Sequence, residues 1–295
     1  MGTPLWLAKT RKSLPGTDWR RILSPCVARL YAVSALVSNE VQFVRGSASS
    51  MLSAAAQGAK LKILLLLFAE RAPTIFLVSS SIANPRDLRG KKIGVQDFSG
   101  LLWSLTMLAL REMGLDPQKA TSVFRRLATA LIAQALATGL IDGVALDKLQ
   151  SVRLQGLGVK VFLDLSRIAL PSSPYMGAEA FIQKNPQPVE NFVKAMIEAS
   201  TMMRAQKGKG LAVLQKYIKT DRQVAEIGYK PLLDDLTPYT FVTVKGLKTV
   251  QEIVALRDPK IAKYNVEDLL DQRILQKIVQ SGYVEEIERK YKIRP

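Results

Sequence analysis

The chain contains no histidine and a single cysteine, Cys26. The first absence removes the commonest general base and the commonest metal ligand, and with them any Ser or Cys nucleophile activated by an imidazole. The second excludes an intrachain disulfide and a Cys-rich metal site. Long apolar runs are missing as well. The most apolar stretch, ILLLLFA at 63–69, is far shorter than the roughly 20 residues a membrane-spanning helix needs, and it reads as a buried parallel strand. The opening MGTPLWLAKTRKSLPG has neither the apolar length nor the small-residue cleavage pattern of an export signal. Acidic residues are scarce: 25 Asp and Glu face 42 Lys and Arg, leaving a net charge of +17. Such a surplus attracts anionic ligands or surfaces. The basic residues are scattered, however, in short clusters at 20–21, 89–92, 125–126 and 207–209. No zinc-finger, aromatic RNA-binding or long basic-arm pattern accompanies them, so nucleic acid is not an expected partner.

What is present fits a globular protein of some size. With 295 residues, 48% hydrophobic and 23% charged, the chain can fill two lobes and bury a large core. Its most informative stretch is DLRGKKIGVQDFSG at 87–100. Gly90 breaks the chain, 92–95 reads as a strand, and Asp97, Ser99 and Gly100 form a polar loop. A helix-periodic apolar run then extends from Leu101 to Met113 and stops at Gly114. A small polar loop feeding a helix offers free N–H groups and a positive dipole end to an anion. Ser and Gly are equally the preferred residues of an ordinary strand-to-helix connection, and on this segment alone both readings stand.

Strands and helices alternate along the first two thirds. Strands are expected at 40–43, 62–68, 75–78, 92–95, weakly near 122–124, and at 141–146 and 159–163; helices at 49–57, 101–113, 129–138 and 150–155. The Ser-rich, Pro-ended connection at 79–85 reads as a crossover between lobes, and 170–174 as a second Pro-rich connection. This alternation indicates a parallel sheet flanked by helices. From Asn185 the character changes: a cap residue followed by Pro186 is a strong helix start. Helical periods then follow at 186–206, 208–217, 221–233, 245–256, 266–270 and 271–281, so the C-terminal third is mostly helical.

Several segments together resemble a family. ANPRDLRGKKIGVQDFSG, ALREMGLDP at 109–117, ALATGLIDGVAL at 135–146, ALVSNEVQFVRGSASS at 35–50 and FIQKNPQPVENFVKAMIEA at 181–199 are similar, in order and spacing, to solute-binding proteins of ABC importers. The branch is the nitrate/sulfonate/taurine-type group, which shares its fold with the thiamine-pyrimidine synthase-like domain. The resemblance implies an α/β, two-lobed, periplasmic-binding-protein-like (type II) fold with a ligand cleft between the lobes. It divides the chain into 1–80 (first lobe), 81–180 (second lobe) and 181–295 (return to the first lobe, mainly helical). Ligand contacts are then expected at Gly46, Ser47 and Ser49 ahead of one helix, at Asp97, Ser99 and Gly100 ahead of the other, and at Asp142 and Asp147. For Asp142 a turn or capping role stands beside ligand contact. Phe98 and Trp103 are stacking candidates, one of them expected in the core, and Tyr175 and Met176 fall near the second hinge.

The function implied is capture of a small anionic, sulfonate- or nitrate-like solute and its delivery to the membrane permease of an ABC importer. The chain would act as a monomer, without cofactor or metal, and not as an enzyme. The family is periplasmic or surface-bound; the lack of an export signal leaves cytoplasmic retention open. An enzyme of pyrimidine or menaquinone biosynthesis on the same fold is the alternative, and the missing histidine weighs against the first. A third reading is a non-functional remnant. The text at 10–30 and 120–128 departs from the family while keeping its spacing. These windows are therefore expected to be scrambled, as compensated frameshifts would leave them, with the first strand of the first lobe and a strand near 122 lost.

Overall fold

The structure, a computed structural model, describes residues 32–71, 74–95, 101–117, 123–126, 129–147, 154, 157–218 and 221–293. Helix α1 (Ala32–Val37) ends in a tight turn at Asn39 (φ 60°), from which the Glu40 and Val41 N–H groups both reach back to the Ala35 carbonyl, at 2.9 and 3.3 Å. That turn consumes the first half of the strand expected at 40–43, and β1 occupies Phe43–Arg45. Helix α2 (Ala48–Ala56) follows and is stopped by Gly58 at φ 99°, a conformation open to glycine. Strand β2 (Leu61–Phe68) is next, then β3 (Thr74–Ser79), a 3₁₀ turn at Pro85–Leu88, β4 (Lys92–Val95), α3 (Leu101–Glu112), β5 (Val123–Arg126), α4 (Thr129–Ala137), β6 (Gly143–Asp147) and β7 (Val159–Asp164).

The remainder is β8 (Tyr175–Ala178), α5 (Glu179–Lys184), α6 (Pro186–Ala205), α7 (Lys207–Ile218), α8 (Arg222–Asp235), β9 (Leu236–Thr240), α9 (Val244–Ala255), 3₁₀ turns at Pro259–Lys263 and Val266–Leu269, α10 (Arg273–Gln280) and α11 (Tyr283–Lys290). The helical C-terminal third is as expected, apart from β9 and the final helix. The helix expected at 150–155 lies almost wholly outside the described residues.

Nine strands form two sheets among the described residues, in the orders β1-β8-β2-β9 and β5-β4-β6-β3-β7. The first sheet is antiparallel throughout, so β2 is buried on both faces but is not a parallel strand. The second is mixed: β4 runs parallel to β5 and β6, while β3 is antiparallel to β6 and β7. A wholly parallel sheet was the expectation. It holds only for β4, β5 and β6, the strands linked by strand–helix–strand repetition; every other pair is antiparallel. Strand β3 belongs to the second sheet and β8 to the first. The chain therefore leaves the first sheet at residues 69–73 and returns at 165–174; the 79–85 connection lies within the second sheet's half. Strand β5 pairs with β4 from Lys92↔Val123 to Val95↔Arg126, so the window at 120–128 retains its strand. The other departing window, at 10–30, lies outside the described residues.

Helices α2, α3 and α9 lie where the two halves meet. One buried cluster joins Met51 of α2, Phe76 of β3, Leu108 of α3 and Leu247 of α9. A second cluster belongs to the first sheet's other face, where α6 packs. There Phe43 stacks on Phe192 with ring centroids 4.0 Å apart and meets Phe181 edge-on at 5.6 Å, each such pair contributing about 0.5–1.5 kcal/mol beyond area burial.

Candidate functional site

Strand β1 delivers Arg45, Gly46 and Ser47 to the start of α2. Ser47 is the cap: its Oγ accepts the N–H groups of Ser49 (3.2 Å) and Ser50 (3.4 Å), satisfying two of the free donors of the first turn. Gly46 is buried and donates its N–H to the Pro174 carbonyl (3.3 Å), tying this loop to the 165–174 connection. A Cβ at Gly46 would sit 3.3 Å from Met176 Cε, a close approach that the flexible methionine would have to relieve. Ser49, 2% exposed, points out of α2 and shares a 2.7 Å hydrogen bond with the buried Ser104 hydroxyl in the first turns of α3. The N-terminal turns of α2 and α3 thus meet, one fed by the first sheet and one by the second.

Asp97, Ser99 and Gly100, expected on the second side of this junction, lie outside the described residues, as does Phe98. Trp103 is buried in the shared core. The two acidic candidates occupy opposite ends of β6. Asp142 precedes the strand: its carboxylate accepts the Lys92 N–H (2.9 Å), its own N–H donates to the Lys92 carbonyl (2.7 Å), and its carbonyl accepts the Ser79 N–H (3.0 Å). It closes the amino-terminal end of parallel strands β4 and β6. These three bonds are those of a turn residue, the role that stands beside ligand contact for Asp142. Asp147 ends β6, at the carboxyl end of the strands, which is the end that also leads from Val95 towards α3. Ligand crevices of open α/β sheets lie at that end.

The structure adds two residues that the sequence did not mark, Arg45 and Ser104. Arg45 pairs across strands with Tyr175 and holds its guanidinium 5.1 Å from the Phe68 ring centroid. The Tyr175 hydroxyl is fully buried and has no hydrogen-bond partner among the described residues. Burial pushes its pKa up to about 12, with the Arg45 charge pulling the other way. One basic residue in a scattered surplus carries no local signal; only its place immediately ahead of GSASS would have singled out Arg45. Ser104 sits on an apolar helix, where a lone serine reads as filler. Among the described residues there is no cluster of acidic or thiol groups able to hold a metal. Nor is any of their helices long and apolar enough to cross a membrane.

Two sheets joined by two chain connections, and helices from each meeting at their amino ends, define a periplasmic-binding-protein-like fold. The periplasmic aliphatic sulphonate binding protein SsuA from Escherichia coli has this fold: its solved structure superposes with a TM-score of 0.69 at 23% identity, over 83% of this chain and 80% of that one. The chain belongs to the NMT1/THI5 like family, which matches residues 22–207 and so takes in β1 to β8. It is 29% identical over 186 residues to the taurine-binding periplasmic protein of Escherichia coli (strain K12), covering 62% of this chain and 56% of that protein. It is also 29% identical over 159 residues to the riboflavin-binding protein RibY of Chloroflexus aurantiacus (strain ATCC 29366 / DSM 635 / J-10-fl), covering 53% and 45%. The chain spans about half the length of the curated relatives it matches.

Proposed function

We propose that this chain binds a small solute between its two sheets and hands it to the membrane permease of an ABC importer, outside the cytoplasm. The solute carries an anionic group held at the amino-terminal turns of α2 and α3. The observation that carries the reading is the 2.7 Å bond between Ser49 and Ser104, which brings two helix N-termini, each favouring negative charge, to one place. Arg45 adds a fixed positive charge two residues ahead of Ser47. Asp147, which ends β6, would read an amine or hydroxyl elsewhere on the solute, and Asp97, Ser99 and Gly100 are assigned as further contacts on the strength of the family resemblance of their segment. The relatives' names support binding over catalysis: taurine and aliphatic sulphonates are small anion-bearing solutes.

The test is a thermal-shift screen of taurine, alkanesulfonates, nitrate, small carboxylates and riboflavin, followed by calorimetry on whatever raises the melting temperature. A sulfonate or other anion that binds, with Arg45→Gln weakening it at least tenfold, supports the reading. RibY favours a second one, in which the solute is a flavin; riboflavin binding unaffected by Arg45→Gln would replace the first.

A further inference from the structure

Both connections between the sheets come close to the start of α9, and one of them supplies a carboxylate that binds it. Glu70 lies in the 69–73 connection. Its Oε1 accepts the Thr243 N–H at 2.8 Å and its Oε2 the Thr243 hydroxyl at 2.7 Å. Thr243 is the cap of α9, and its Oγ1 in turn accepts the Gly246 N–H at 2.9 Å. Gly246 belongs to the first turn of a regular helix, where alanine would ordinarily be the more stable choice. Here a Cβ would fall 2.5 Å from Glu70 Oε1 and 3.0 Å from Cδ of Pro171, which lies in the second connection. A side chain at 246 would have to push back both Glu70 and Pro171, because the first turn of α9 lies close against both connections. The neighbours of Glu70 are tied down too. The Ala69 N–H donates to the Asp235 carbonyl (2.8 Å), and Arg71 pairs with the Asp235 carboxylate through Nε (2.7 Å) and Nη2. Burial pushes the Glu70 carboxyl above its ordinary range even against both Thr243 bonds.

From this anchored end α9 runs across both halves. It packs on α2 and on α3, and Glu252 reaches Arg111 of α3 at 2.7 Å. We propose that Glu70 is the pin of the joint between the lobes: by fixing the first turn of α9 to the first connection, with Pro171 of the second connection close beside that turn, it holds α9 as a strap across α2 and α3 and so maintains the spacing between the two halves. None of its contacts is a candidate solute contact, so the device is separate from recognition and does not depend on which solute binds.

The test measures lobe separation directly. In a Cys26→Ser background, spin labels at Gln57, beyond α2, and at Glu112, the end of α3, report the distance between halves by pulsed electron resonance. Glu70→Gln puts an NH₂ where an acceptor is needed, and Gly246→Ala adds the obstructing methyl. Both are expected to lengthen or broaden the distance distribution by several ångströms in protein that keeps its helical circular dichroism. Thr243→Ala, which leaves the backbone N–H bond in place, should give a smaller shift and serves if either of the others fails to fold. The control is Gly210→Ala, whose Cβ would lie 2.3 Å from Tyr229 Oη and touch neither Glu70 nor α9; it should lower the melting temperature and leave the distance alone. An unchanged distribution in folded Glu70 or Thr243 variants, or an equal shift in the control, overturns the proposal.

Discussion

Ser49 and Ser104 lie 55 residues apart in sequence, on helices fed by different sheets, yet their hydroxyl oxygens are 2.7 Å apart in a buried position. The bond is a direct measure of how closely the two halves approach. Ser49→Ala and Ser104→Ala should each cost about 1 kcal/mol, the usual net value of a hydrogen bond. The double variant should cost less than the sum, by roughly 0.5–1.5 kcal/mol of coupling. Urea unfolding of the four proteins measures this. Strict additivity would mean that the halves do not meet through these residues in solution.

Asp142 is expected to be a fold residue. Asp142→Ala removes the acceptor of the half-buried Lys92 N–H and should destabilise by about 0.5–1.5 kcal/mol, the usual net value of a hydrogen bond. It should leave the affinity for any solute found in the thermal-shift screen within twofold, because it stands at the far end of β6 from Asp147. Calorimetry and denaturant unfolding on the same preparation separate the two effects, and a tenfold loss of affinity at unchanged stability would return Asp142 to the binding site.

Tyr175→Phe should leave stability unchanged or raise it by up to about 1 kcal/mol, since it deletes a buried hydroxyl that has no partner among the described residues. The ring stays packed against Phe192, at a centroid distance of 6.0 Å. A loss of more than about 1 kcal/mol would point instead to a hydrogen bond of this hydroxyl that forms in solution.

Acid should loosen the C-terminal helices through Glu190. This carboxylate of α6 accepts from Lys194 (2.7 Å) and from Lys277 of α10 (3.0 Å), and these bonds hold its pKa below the ordinary 4.5. A depressed folded-state pKa means the stabilisation is complete above the unfolded value and is lost as pH falls through the folded one. Asp271, held down chiefly by Arg273, acts in the same sense. Unfolding free energies measured from pH 6 down to pH 3 should fall more steeply in the wild type than in Glu190→Gln. Parallel curves would remove Glu190 from the account.

The features legible in the sequence are those set by neighbours. Asn185 followed by Pro186 opens α6, and Gly58, Gly114 and Gly139 stop helices at positive φ, because caps and turns depend on a few adjacent residues. The Ser47 cap is of this kind. What depends on partners remote in sequence was not legible. Nothing within the apolar strand 74–79 says that it pairs with β6 and β7 instead of β2. Strand β9 follows α8 without a break and carries Pro238 in its middle, a residue that argues against strand and is tolerated here at the sheet's edge. For the site, the motif around Asp142 drew the eye through resemblance. The direction of β6 alone would have favoured Asp147, which follows the strand instead of preceding it.

The position of β2 bears on how the chain is made. Its two neighbours in the sheet, β8 and β9, begin at residues 175 and 236, whereas the second sheet is complete within residues 74–164. On a ribosome, where chains emerge at about 5–20 residues per second and domains tend to fold as units, the later-encoded half can close first. The run ILLLLF is then left waiting for both of its partners. For that interval the nascent chain carries one of its most apolar segments uncovered, and its yield in a cell is expected to depend on chaperone supply more than the stability of the finished fold would suggest.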